Sequence, residues 1–153
     1  YKHKLENLLV VSKIITIHYF EYSSDFTFSG EAHDFWEMVY IDKGEMICTA
    51  ENNRFILKSG EMTFHKPNEF HNLEGNKSTA PNVSIVTFEC HSRAMSYFEG
   101  KIFRLSAEDK IKALDFVKDN AVALTVATQV PKLAEEAAAS VKGIKMMKNY
   151  QLF

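Results

Sequence analysis

Between Lys13 and Cys90 the sequence is cut into short runs rich in β-branched and aromatic residues, with turn residues between them. "KIITIHYFEY" (13–22), "DFTFSG" (25–30), "FWEMVYI" (35–41), "MICTAE" (46–51), "RFIL" (54–57), "MTFH" (62–65) and "VSIVTFEC" (83–90) each have the length and composition of a strand. "DKGE" and "KSGE" close two of them. "NN" (52–53) marks a hairpin turn, because asparagine tolerates a positive φ. Many short strands at this spacing predict an antiparallel, mainly β sandwich or barrel.

The character changes near residue 100. "LSAEDKIKALDFVKDNA" sets Ser106 before Asp109 at capping-box spacing, and Ile111, Leu114 and Val117 follow at helical intervals. "PKLAEEAAASVKGIKMMKNYQLF" opens with Pro131, a suitable first-turn residue. Leu133, Ala137, Val141, Ile144 and Met147 then form an apolar stripe at spacings of four and three. A helix with such a stripe must bury it, on its own domain or on a second copy of the chain. Its place at the end of the chain favours a homodimer seam. The expected division is a β unit over 1–100 and a helical segment over 101–153. The sequence starts at Tyr1 and stops within a helical pattern, so further residues are expected beyond 153.

Composition removes several functions. The formal net charge is -2, which argues against a nucleic-acid grip within these residues. Cys48 and Cys90 lie far apart with no partner motif, and read as reduced thiols of a cytoplasmic protein. No signal peptide is visible and no apolar run approaches a membrane span, so no membrane partner is expected. G-x-S-x-G, P-loop, G-x-G-x-x-G and C-x-x-C patterns are missing.

The chemistry concentrates in "HDFWEMVYIDKG" (33–44). Strand alternation puts His33, Phe35, Glu37, Val39 and Ile41 on one face, and Asp34, Trp36, Met38 and Tyr40 on the other. Glu31 joins the first face if the strand reaches back that far. His71, after "KPNEF", is a further candidate from a separate strand. Imidazole and carboxylate suit zinc, iron, manganese or nickel, provided the fold brings these groups together. His65 reads as a surface or structural residue, and His3, His18 and His91 have no partner visible in sequence.

"HDFWEMVYIDKG" followed by "GEMTFHKPNEFH" resembles the two consecutive motifs of a cupin barrel. In the first motif His33, Glu37 and Gly44 match, while Glu31 stands where a first histidine is usual. In the second, Gly60, Pro67 and His71 match, while Glu69 stands where a glycine is usual. The order of motifs, together with "VKGIKMMKNYQLF", is similar to the amino-terminal sensor domain of AraC-type transcription regulators over roughly residues 13–153. The resemblance implies a cupin-like antiparallel β-barrel or jelly roll followed by carboxy-terminal α-helices. It also implies a small-molecule effector in the barrel, such as a sugar or an aromatic acid, bound by Glu31, His33, Phe35, Glu37, Val39 and His71. The terminal helix would pair two subunits, and DNA would be met only through helix-turn-helix units beyond 153.

The expectation is therefore a sensing and dimerising domain, not an enzyme, with no cofactor required. The alternative is a small metal-dependent cupin enzyme, a dioxygenase or isomerase, using His33, Glu37 and His71 as metal ligands.

Overall fold

The computed structural model describes residues 9–112 and the backbone of 144–151. The strands, in chain order, are β1 (Val11–Tyr22), β2 (Trp36–Lys43), β3 (Glu45–Ala50), β4 (Asn53–Lys58), β5 (Glu61–His65), β6 (His71–Gly75), β7 (Asn82–Cys90), β8 (Ile102–Arg104) and β9 (Ile144–Gln151). A 3-10 helix, Arg93–Phe98, lies between β7 and β8. Residues 107–112 are helical, and the Ser106 hydroxyl caps that turn by accepting the Asp109 N–H at 3.1 Å.

Two sheets result. One has six strands in the order β8-β5-β2-β7-β1-β9, the other three in the order β4-β3-β6. Every ladder is antiparallel. The shared core lies between them: Val39 and Ile41 of β2 and Val83 and Ile85 of β7 meet Met46, Cys48, Leu57 and Leu73 from the three-stranded sheet. The opposite face of the six-stranded sheet holds a second cluster around Ile17, Trp36, Val86 and Phe88, closed by Met95 of the 3-10 helix. β7 therefore buries both of its faces, which explains its nearly unbroken apolar run.

The expected barrel or jelly roll is corrected by this topology: the sheets stay open and separate. The physical reason lies between β1 and β2. "DFTFSG" does not build a ladder. Among the described residues it and its neighbour join β6 only through the isolated bridges Thr27↔Glu74 and Glu31↔His71. Gly30, at φ +92°, turns the backbone out of strand geometry between those bridges.

The expected terminal helix is corrected in part. Ile144–Gln151 is a strand whose backbone pairs with β1, Ile17 opposite Tyr150 and Tyr22 opposite Ile144. Helical spacing is a weak preference, and the outer edge of β1 offers a row of backbone donors and acceptors that a neighbouring segment satisfies. Ile144 and Met147 are therefore not on a dimer-forming helix face. Leu133, Ala137 and Val141 lie outside the described residues. The 52–53 turn is also displaced by one: Asn53 pairs with Ala50, and the positive φ (51°) falls on Glu51. Tertiary contacts hold Glu51 there. Its N–H donates to the Phe70 carbonyl at 2.8 Å, and its carboxylate accepts the Phe70 N–H at 2.9 Å.

Candidate effector and metal site

A cavity of about 330 Å³ opens between β1, the 23–35 connection, β2, β6 and β7. Alternate residues of β1 face it: Thr16, His18, Phe20 and Tyr22. Phe26, Phe28 and Phe35 add aromatic walls, and Leu73, Ile85 and Thr87 complete them. The hydroxyls of Thr16 and Thr87 hydrogen-bond to each other at 2.6 Å. Burial pushes the Tyr22 phenol far above its ordinary range, and the nearby Glu37 and Glu31 carboxylates push it further, so it stays protonated.

Polarity is concentrated at one end. Glu31, His33, Glu37 and His71 each bring one ligand-type atom to within 4.8 Å of all the others. Glu37 is 5% exposed and His71 2%. His33 Nε2 lies 3.6 Å from one Glu37 oxygen, and His71 Nε2 lies 3.4 Å from the other. Burial alone would raise the Glu37 carboxyl. The imidazoles of His33 and His71 facing it, with the charges of His71 and His65, outweigh burial and hold the pKa at about 2. For His71, burial lowers the pKa, but the Glu37 carboxylate more than reverses it and the net shift is upward.

The β5–β6 loop arranges this end. Asn68, at φ 63°, donates its N–H to the His33 carbonyl at 2.6 Å. Glu31 and His71 exchange both backbone hydrogen bonds at 2.9 Å. His33 Nδ1–H donates to the Phe35 carbonyl at 3.0 Å, and His71 Nδ1–H to the Glu69 carbonyl at 2.9 Å. A carbonyl can only accept, so both rings carry hydrogen on Nδ1, and Nε2 faces the cluster. Both Nε2 atoms are buried without a hydrogen-bond partner of good geometry.

That is the arrangement of a histidine ready to ligate a metal: an outer acceptor fixes the ring and the inner nitrogen is left over. Ligands about 2.0–2.2 Å from a tetrahedral ion stand roughly 3.3–3.6 Å apart, so the widest pair of the cluster, within 4.8 Å here, would close by about 1 Å on binding. The residues fit a divalent metal held by two imidazoles and two carboxylates, and such an ion would supply Lewis-acid chemistry there. The expectation that the chain is not an enzyme is corrected by this donor set. Four convergent groups beside a cavity are equipment for catalysis as well as for recognition.

Of the residues expected from sequence, Glu31, His33, Phe35, Glu37 and His71 line the cavity. Val39 sits in the core beneath it at 0% exposure. Trp36 faces away, its indole N–H donating to the Cys90 carbonyl at 3.2 Å. The β1 contribution escaped the sequence reading, although the alternation of "THFY" at 16, 18, 20 and 22 carried the signal. His65, read as a surface or structural residue, proves structural, and its contact with the site escaped the sequence. It is 1% exposed rather than on the surface, hydrogen-bonded to Glu69 at 3.0 Å, and its ring stacks on His71. The Glu69 carboxyl, which burial would raise, is held below its usual range by that hydrogen bond.

No helix among the described residues is long and apolar enough to cross a membrane. No curated protein sequence matches the chain. Among solved structures, it is similar to a variant of ToxT from Vibrio cholerae strain SCE256, at 13% identity and a TM-score of 0.51, covering 67% of this chain and 46% of that one. ToxT from Vibrio cholerae O395, bound to (E)-4-(8-methylnaphthalen-1-yl)but-3-enoic acid, matches at 18% identity and a TM-score of 0.50, covering 70% of this chain and 48% of that one. The DMSP lyase DddQ from Ruegeria pomeroyi DSS-3 matches at 19% identity and a TM-score of 0.42, covering 56% of this chain and 43% of that one. At these identities the ToxT likeness is one of fold, and the chain spans about half the length of the ToxT chains. The family described as the AraC-like ligand binding domain matches residues 15–90, from β1 to the end of β7. Through those residues the chain belongs to the AraC-like ligand binding domain family.

Proposed function

We propose that this chain is the effector-sensing unit of an AraC-type transcription regulator. The observation that carries the reading is the cavity of about 330 Å³, with aromatic walls and one polar end formed by Glu31, His33, Glu37 and His71. Its size and lining suit a small molecule with an apolar face and a single polar head. An aromatic molecule with a hydrogen-bonding head has that build; the aromatic acid bound in the ToxT structure has the shape, but a carboxylate head here would meet the ionised Glu37. A sugar fits less well, because the Thr16 and Thr87 hydroxyls are engaged with each other and polar partners remain mainly at one end.

The effector would shift an equilibrium between two arrangements of the segment after residue 112, in proportion to its difference in affinity for them. On this reading residues 1–100 sense and residues 101–153 relay. Pairing of two copies through that second segment and helix-turn-helix units beyond 153 would complete a cytoplasmic regulator. The test uses the full-length protein with aromatic acids and sugars as probes. The paired substitution His33→Ala with Glu37→Ala should abolish the reporter response to whichever probe the wild type answers. An intact response in that variant refutes the site.

A second reading is favoured by the inward-facing Nε2 atoms: a metal-dependent enzyme that holds its ion on His33, Glu37 and His71, with Glu31 as a fourth ligand. Turnover of a probe by the zinc- or iron-loaded chain, lost in His71→Ala, would establish it.

A further inference from the structure

The β5–β6 turn carries a second histidine–glutamate pair that the reading above does not use. His65 is buried opposite Glu37 in the β2–β5 register. Its Nδ1–H donates to the Glu69 carboxylate at 3.0 Å. Its ring lies on His71, with centroids 4.3 Å apart and planes only 10° from parallel. Glu69 meanwhile accepts the His71 Nδ1–H through its main-chain carbonyl at 2.9 Å. One residue therefore grips both imidazoles, one by its side chain and one by its backbone.

The consequence falls on His71. The Glu69 carbonyl at Nδ1 and the Glu37 carboxylate beyond Nε2 leave the His71 ring free to rock about the axis between them. A second ring stacked on its face removes that freedom, and the Glu69 carboxylate fixes the second ring in turn. Simple core filling would not require this. An apolar side chain would cover His71 without burying the polar Nε2 of His65, which has no partner.

We propose that His65 and Glu69 are positioning residues: together they lock the His71 imidazole with Nε2 turned to Glu37, and so set the affinity and geometry with which the four-residue cluster holds a divalent cation. This rests on the reading of that cluster as a cation site.

The probe is cobalt(II), titrated into the metal-free chain and followed by its visible absorption bands. The expected result is that wild type binds cobalt, while His65→Phe and Glu69→Ala each weaken binding about 10- to 100-fold and shift the bands, as loss of outer partners does at metal sites. Glu69→Gln, which keeps an acceptor for His65, should recover much of the affinity. If both variants lower the unfolding midpoint but leave affinity and bands unchanged, the pair only packs and the proposal is overturned, with the cation site intact. If wild type binds no cobalt, the proposal falls together with the cation reading. Should His65→Phe fail to fold, Glu69→Ala, which leaves the buried ring in place, decides on the same readout.

Discussion

Nε2 of His71 lies 3.4 Å from Oε1 of Glu37, with the two side chains 2% and 7% exposed. Each holds the other in its charged form, and this makes stability depend on pH from two sides. The Glu37 pKa is about 2 in the folded chain against 4.5 when unperturbed. Its contribution, on the order of 3 kcal/mol, is present above pH 4.5 and is lost as pH falls towards 2. The His71 pKa is raised above 6.5, so its contribution is complete below that value and disappears as pH rises through the folded pKa. Urea unfolding of the metal-free chain should show this pair stabilising most between about pH 4.5 and 6.5. Subtracting the Glu37→Gln profile isolates it. A wild-type-minus-variant difference that stays flat from pH 2 to 5 would contradict the assignment.

A ligand that binds only the folded state stabilises it by RT ln(1 + [L]/Kd), about 2.7 kcal/mol at a hundredfold excess over Kd. Zinc added to protein purified without an affinity tag should therefore raise the unfolding midpoint and remain at about one equivalent by elemental analysis. His71→Ala should lose both effects. Metal far below one equivalent in wild type, even after refolding with excess zinc or iron, would remove the metal from this site.

Much of the cavity was legible in the sequence because strand alternation is strict. His33, Phe35 and Glu37 face inward while Trp36 and Met38 face the second cluster, as a period of two requires. His71 joins them because its backbone pairs with Glu31. What the pattern could not show is how strands group into sheets. Ladder formation across 25–30 was decided by the backbone at Gly30 and by the inward turn of Phe26 and Phe28, not by β propensity. The stripe through Ile144 and Met147 fits a helix equally well on paper, and pairing with the β1 edge prevails. His65 stayed hidden because its partner Glu69 lies in a loop, where spacing carries no directional information.

Gly30 is the position where a single methyl group should disturb the site most. Its φ is +92°, and an added Cβ would stand 2.4 Å from Phe70 Cζ and 2.8 Å from the His71 carbonyl oxygen. Gly30→Ala should cost about 1–3 kcal/mol, from backbone strain together with displacement of the segment that bears Glu31. Phe70→Ala in the same chain should return part of that loss, since it removes the ring conflict and leaves the strain. Thermal unfolding of the two single variants and the double variant measures the coupling. Strict additivity would mean that Phe70 does not confine Gly30.

Leu57 and Ile56 are neighbours on β4 with opposite fates: Leu57 is fully buried in the shared core, and Ile56 is 48% exposed. Leu57 packs with Met46 and Cys48 of its own sheet and with Val39 and Ile41 of the other. Truncating it leaves a void that two facing sheets close only in part. Leu57→Ala should therefore cost about 2–5 kcal/mol, the range for large-to-small core changes. Ile56→Ala should stay within about 0.5 kcal/mol, as a half-exposed edge residue outside that core. Urea denaturation of both variants at one pH compares them directly. Similar losses for the two would mean that β4 is covered on both faces and that the three-stranded sheet does not present Ile56 to solvent.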